Sequence, residues 1–314
     1  MGSGGLKYFI IKLLFLSLTT LGLNYWGSTT VFRYKRPSLQ KQTAVSRGSE
    51  ELRSKVLFQK NEIGETEIVV LTFNICHGVN KKGEESLNAI IESIRNANAH
   101  IIGLQEVDRF MPRSKFKDQA KEIADALGYN YVYGETINIL GIQYGNAILS
   151  QFPIIEHENK KLPGDSIESR ALLRVKIDLG DNFFEVYTTH LGLTAADREQ
   201  QIKSINASLE QSVEPVILMG DFNAGPLNEE MTQLSPIVSD IAKIVQKEDL
   251  YTYAFYSDTP NTRIDRIYVS DNVNVVDYFV LDSSISDHSM VLGILSINNF
   301  TKEGLMAYIR NNNR

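Results

Sequence analysis

The sequence predicts an α/β fold, and three observations carry the prediction. Short apolar runs recur along the chain and look like buried strands. Helical apolar periodicity fills several of the intervals between them. The composition, 43% hydrophobic and 22% charged over 314 residues, is that of an ordinary globular protein able to bury a substantial core, so disorder is not the default. Strands that alternate with helices indicate a sheet with helices packed outside it, and residues 63–298 contain no internal linker, so one domain is expected there.

The chain begins differently. Tyr8 to Trp26 reads YFIIKLLFLSLTTLGLNYW, an apolar stretch close to the roughly 20 residues that span a bilayer. Tyr25 and Trp26 lie where an interfacial aromatic belt would sit. Residues 1–32 are therefore expected to be a membrane anchor or signal segment. The anchor is favoured, because no small-x-small cleavage site follows in Gly27–Arg33. Basic residues flank the stretch on both sides, so its orientation is weakly specified: the positive-inside rule would, if anything, keep the body cytoplasmic, whereas analogy with other anchored hydrolases slightly prefers an extracytoplasmic body. Residues 33–62 are polar without apolar periodicity and read as a tether, and 299–314 as a tail.

Within the body, IVVLTF (68–73) and IIGL (101–104) are the first two strands. Leu87, Ile90, Ile91 and Ile94 between them follow the i, i+3, i+4, i+7 rule and give one apolar helix face. Ala120, Ile123, Ala124 and Leu127 repeat it. FFEVYTT (183–189) is the next strand, followed by a helix starting near Thr194, with Asp197 completing a capping box and Ile202, Ile205 and Leu209 facing the core. VILM (216–219) and MVLGIL (290–295) complete the set. Cys76, the only cysteine, excludes intrachain disulfides and all-cysteine metal sites, and its apolar context predicts a small core residue.

Charge narrows the partners mildly. Seven of the 32 basic residues and none of the 38 acidic ones lie in residues 1–49, leaving 25 against 38 in the remainder, a formal −13. An acidic body attracts cations and argues against a protein that grips nucleic acid through many phosphates.

The polar residues that matter follow the apolar runs: Asn74 after the first, Gln105 and Glu106 after the second, His190 after FFEVYTT, Asp221 and Asn223 after VILM. Strand ends are where α/β proteins build ligand sites. With TFN (72–74), LQEVD (104–108), THL (189–191), GDFN (220–223), IDRI (264–267) and SDH (286–288) in this order, the chain resembles the endonuclease/exonuclease/phosphatase superfamily over roughly residues 67–296. GDFN and SDH are the most specific marks, and His190 is a mark of the deoxyribonuclease and neutral sphingomyelinase branches.

The resemblance implies a four-layer αββα sandwich of two facing mixed sheets with helices on both outer sides; periodicity alone left a doubly wound parallel sheet equally open. It also implies divalent-metal-dependent phosphoester hydrolysis, with Mg²⁺ as the cofactor and Mn²⁺ as a substitute. Glu106, Asn74 and Asp287 match the metal cluster, whose hard cation calls for oxygen donors. Asp221 and Asn223 match the pair that orients the attacking water, and His288 the phosphate-contacting histidine held by Asp265. His190 is expected to share acid and base roles with His288 on opposite sides of the phosphorus. Asn146 and Arg170 fall where substrate contacts are often found, and a surface salt bridge is the equal alternative for Arg170. A lipid or small phosphoester is favoured as substrate, with DNA or RNA as the alternative and a catalytically silent, membrane-tethered binding module as the remote one.

Overall fold

A computed structural model describes residues 66–297, apart from 166–167, 181, 258 and 282–283. The expected membrane segment, the polar tether and the C-terminal tail lie outside the described residues. Among the described residues, no helix is long and apolar enough to cross a membrane.

Two six-stranded mixed sheets face each other. The first contains β1 (Thr66–Asn74), β2 (Ile101–Arg109), β3 (Asn130–Ile139), β4 (Ile142–Ser150), β11 (Asn274–Leu281) and β12 (Met290–Ile297), in the order β11-β12-β1-β2-β4-β3. The second contains β5 (Ile154–Leu162), β6 (Arg170–Asp178), β7 (Phe183–His190), β8 (Val216–Asp221), β9 (Val238–Asp240) and β10 (Asp265–Ser270), in the order β5-β6-β7-β8-β10-β9. Among the described residues, only β1/β2 and β7/β8 pair in parallel. The first pair is bridged by α1 (Leu87–Ala97) and the second by α3 (Ala195–Leu209), as parallel neighbours require. The fold is thus the αββα sandwich, and the doubly wound alternative is excluded.

Strand alternation builds three layers of core. Ile68 and Val70 of β1 point between the sheets, against Val175, Ile217, Met219 and Ile267 of the facing sheet. Val69, Leu71 and Phe73 point the other way, onto the apolar faces of α1 and α2 (Gln119–Leu127). On the far side, Ile202, Ile205 and Leu209 of α3 cover Tyr187 and Leu218. Such two-faced burial is why these strands read as continuous apolar runs. Thr194 caps α3, accepting from Asp197 N at 3.1 Å and donating to Asp197 Oδ2 at 2.9 Å.

One polar seam crosses the interior. Gln105, buried in the middle of β2, accepts from Thr72 Oγ1 at 3.3 Å and donates Nε2 to Thr188 Oγ1 of the opposite sheet at 2.8 Å. The expectation for Cys76 needs correction. It lies beyond the end of β1 in a tight turn, Cys76–Gly78, half-buried and in a left-handed conformation with φ 45°.

Candidate active site

The site lies where the carboxyl ends of β1, β2, β7 and β8 meet, and strand register delivers its parts. Asn74 ends β1, opposite Gln105 in β2. Between Leu104 and Val107 the β2/β4 register shifts in a bulge, and Glu106 takes φ 57° there. A bulge re-aims a side chain, which turns Glu106 toward the site from within β2 while Gln105 stays in the core. In the second sheet, His190 and Asp265 flank Asp221 on the two neighbouring strands.

Three nitrogens approach one oxygen, Asp221 Oδ2. Asn74 Nδ2 donates to it at 3.0 Å, His190 Nε2 lies at 3.4 Å and His288 Nε2 at 3.7 Å. Asn74 belongs to the first sheet and Asp221 to the second, so the hydrogen bond ties the sheets together at the site. The other carboxylate oxygen, Oδ1, accepts from the backbone N–H of Asn223 at 2.9 Å. Asn223, at φ 50°, turns its own Nδ2 to Leu191 O at 2.8 Å and thereby holds the loop after β7.

The two imidazoles are poised oppositely. Burial would lower the proton affinity of His288, but the Asp265 and Asp221 carboxylates outweigh it and push the pKa up to about 10. His288 Nδ1 sits 3.0 and 2.9 Å from the two Asp265 oxygens, and Thr252 Oγ1 donates to Oδ2 of the same carboxylate at 2.7 Å. His190 is held well below the usual range by burial first and the Arg170 guanidinium second. Arg170 lies 3.3 Å from His190 Nδ1, and a guanidinium can only donate. The proton of the neutral ring is therefore on Nε2, aimed at Asp221. Burial, with Asp265 adding to it, raises the Asp221 carboxyl. A cationic His288, a neutral His190 that donates and a carboxylate with high proton affinity thus meet at one point.

Glu106 stands beside this cluster. Burial would raise its carboxyl, but His77, His190 and Asn74 together hold it ionised, well below the usual carboxylate range. Asn74 Nδ2 donates to its Oε1 at 3.1 Å, and His77 Nδ1 lies 3.5 Å from Oε2. An ionised, half-buried carboxylate open to solvent is a fit donor for a divalent cation. Asp287, also half-buried, adds a carboxylate to this side of the site and, after burial, is the next influence holding the Cys76 thiol protonated. Asn74, expected at the metal, instead has its amide oxygen taken by Cys76 N at 3.0 Å and presents its NH₂ to the carboxylates. It is a donor that links Glu106 to Asp221 and not an oxygen ligand.

The family model for the endonuclease/exonuclease/phosphatase family matches residues 71–288, more than half of the chain. The chain belongs to this family. Members of the endonuclease/exonuclease/phosphatase family are metal-dependent phosphoesterases or nucleases, and the candidate donors above suit that dependence. Among curated proteins, YbhP of Escherichia coli K12 is 26% identical over 219 residues, which is 64% of this chain and 84% of that protein. A family structure from Beutenbergia cavernae superposes with a TM-score of 0.63 at 22% identity, covering 74% of this chain and 72% of that one. A mannosyl-6-phosphatase from Bacteroides thetaiotaomicron superposes at 0.62 and 20% identity, covering 73% of this chain and all of that one.

Two expected substrate contacts are occupied otherwise in this family member. Asn146 is buried and donates Nδ2 to Ala171 O at 3.3 Å, a link from β4 to β6 between the sheets. Arg170 is no surface salt bridge, since it is 4% exposed and divided between His190 and Glu168, 2.7 Å away. Several residues that sequence reasoning passed over support the site. Ser286 Oγ donates to Asn74 O at 2.8 Å, fastening the SDH loop to β1. The Tyr253 ring lies 4.6 Å from that of His288. Thr252, besides donating to Asp265, accepts from Asp265 N at 3.1 Å. His77 faces Glu106, and its position three residues beyond the end of the TFN motif was the one signal that could have drawn notice.

Proposed function

We propose that the protein hydrolyses a phosphoester of a lipid or small molecule by in-line attack of water. The observation that carries this reading is the convergence of Asn74, His190 and His288 on Asp221 Oδ2. In that arrangement Asp221, with its raised proton affinity, accepts the proton of the attacking water. The His288 cation and the His190 Nε2–H face the same point and stabilise charge on the phosphoryl oxygens. Asp265 holds His288 in its charged form and fixes its ring. Glu106 and Asp287 would hold the divalent cation, Mg²⁺ with Mn²⁺ as a substitute, which when bound polarises the phosphoryl group and neutralises its charge.

Two features support an amphiphilic substrate over a nucleic acid. The body carries a formal −13 beyond residue 49, which disfavours a polyanion. The loops around the site also expose large apolar side chains: Phe110 and Phe116 after β2, Leu193 after β7, Leu227 after β8, and Phe255 and Tyr256 before β10. Exposed apolar groups clustered at one edge suit an interface with lipid or another apolar surface. An apolar N-terminal anchor would hold the domain at a membrane on the extracytoplasmic side, in keeping with such a substrate.

The test is a panel of phospholipid vesicles, sphingomyelin, sugar and inositol phosphates, and single- and double-stranded DNA, each with Mg²⁺ or with chelator. Metal-dependent release from a lipid or small phosphoester, lost in Asp221→Asn, is the expected result. Cleavage of DNA alone would replace the substrate assignment with a nuclease. Turnover indifferent to both chelator and Asp221→Asn would leave only a binding module.

A further inference from the structure

Immediately beside the hydrolytic cluster, Cys76 Sγ, His77 Nδ1 and a Glu106 carboxylate oxygen lie within 4.8 Å of one another. His77 Nδ1 is buried and makes no hydrogen bond among the described residues, although it stands 3.5 Å from Glu106 Oε2. A buried ring nitrogen this close to a carboxylate, yet outside hydrogen-bond geometry, is a polar group only partly satisfied. Neighbouring side chains on an extended strand point to opposite faces. Here both Cys76 and His77 take φ 45°, and this left-handed turn brings sulfur and imidazole to the same carboxylate. The turn is fastened at several points: Cys76 N to Asn74 Oδ1 at 3.0 Å, Val79 N to Cys76 O at 3.1 Å, and Gln119 Nε2 to His77 O at 2.7 Å.

From this geometry we propose that Cys76, His77 and Glu106 form a three-donor site for a borderline-soft transition-metal ion such as Zn²⁺ or Co²⁺. A thiolate, an imidazole and a carboxylate are a poor set for Mg²⁺, which demands oxygen, and a good one for zinc-like ions with a fourth position left to water or substrate. Tetrahedral coordination at ordinary bond lengths needs donors about 3.3–3.7 Å apart, so an inward movement of about 1 Å by these half-buried side chains completes it. Binding one ion releases the Cys76 proton to solvent. The proposal rests on the reading that Glu106 holds a divalent metal. It adds which ions the site selects: a transition ion takes sulfur and imidazole together with Glu106, so it competes with Mg²⁺ for that carboxylate.

The full-length protein, stripped by chelator, is titrated with Co²⁺, Zn²⁺ and Mg²⁺ while absorbance and bound metal are recorded. The expected result is a thiolate-to-cobalt charge-transfer band at one ion per chain, abolished in Cys76→Ser. Zn²⁺ affinity should fall at least about tenfold in Cys76→Ser and in His77→Gln, with Mg²⁺ affinity within about threefold of the parent. Because Cys76 is the sole cysteine, reversible disulfide blocking of the folded protein repeats the experiment without refolding a variant, and it should remove the same band. Cobalt binding without a thiolate band, or Zn²⁺ affinity unchanged in both variants, overturns the proposal and leaves the hydrolase reading intact. Failure of every ion to bind, with Glu106→Gln indistinguishable from the parent, removes both.

Discussion

Asp265→Asn keeps the shape of the site but removes the charge that holds His288 protonated. Because that carboxylate raises His288 toward about 10, its loss lowers the pH at which the imidazolium deprotonates, and the alkaline limb of the pH–rate profile should move toward neutrality. Turnover should fall about 10²- to 10⁴-fold. An unshifted alkaline limb would show that His288 does not act as the cation. Arg170→Met tests the other imidazole. The guanidinium lowers the proton affinity of His190, so its removal should raise the ring's titration midpoint by NMR. At this scale the sequence revealed the residues that directly follow buried strands, because a strand end leaves a polar side chain little choice of direction. Thr252 and Tyr253 were hidden, as was the role of Ser286 within the SDH motif, since each acts on a partner distant along the chain, as Ser286 does on Asn74. The turn that places Cys76 beside His77 was hidden because a left-handed turn carries no pattern when its residues are not glycine.

Gly220, before Asp221 in β8, shows how an element constrains the chemistry it carries. Its φ is +148°, and a Cβ there would lie 2.0 Å from Thr189 O in β7. Gly220→Ala must break strand pairing or push Asp221 out of place, so a loss of at least about 2 kcal/mol is expected in denaturant titration, with loss of activity. Thr194→Ala removes the cap of α3 and should cost about 1 kcal/mol, read by the same titration. The elements seen in advance, β1, β2, β7, β8, β12 and the three longer helices, are those buried on two faces or along one clean stripe. β5 was invisible, because IIEHENKKL lies at a sheet edge and is mostly exposed along its length. β3 sits at an edge of the other sheet and mixes partly buried tyrosines with polar residues. The sandwich itself came from resemblance, since alternation along the chain does not say whether strands join one sheet or two.

The stability of the whole molecule should report on His100, which immediately precedes β2 and accepts from Val69 N at 2.9 Å. Burial pushes its pKa down to about 4, against about 6.5 when unfolded. The unfolded chain therefore binds the extra proton first. Stability is complete above about pH 6.5 and declines as pH falls toward 4, by at most about 3 kcal/mol. Unfolding curves at pH 7 and pH 4.5 should diverge more for the parent than for His100→Gln, and equal divergence would discount the histidine. A broader consequence follows from the Asn74 to Asp221 hydrogen bond, whose two ends belong to different sheets. Apolar contacts between the sheets tolerate sliding by a fraction of an ångström, whereas a hydrogen bond and an in-line attack do not. The active site is in effect a vernier for the alignment of the two halves. Mild denaturant or pressure should silence the enzyme at doses that leave its circular dichroism intact.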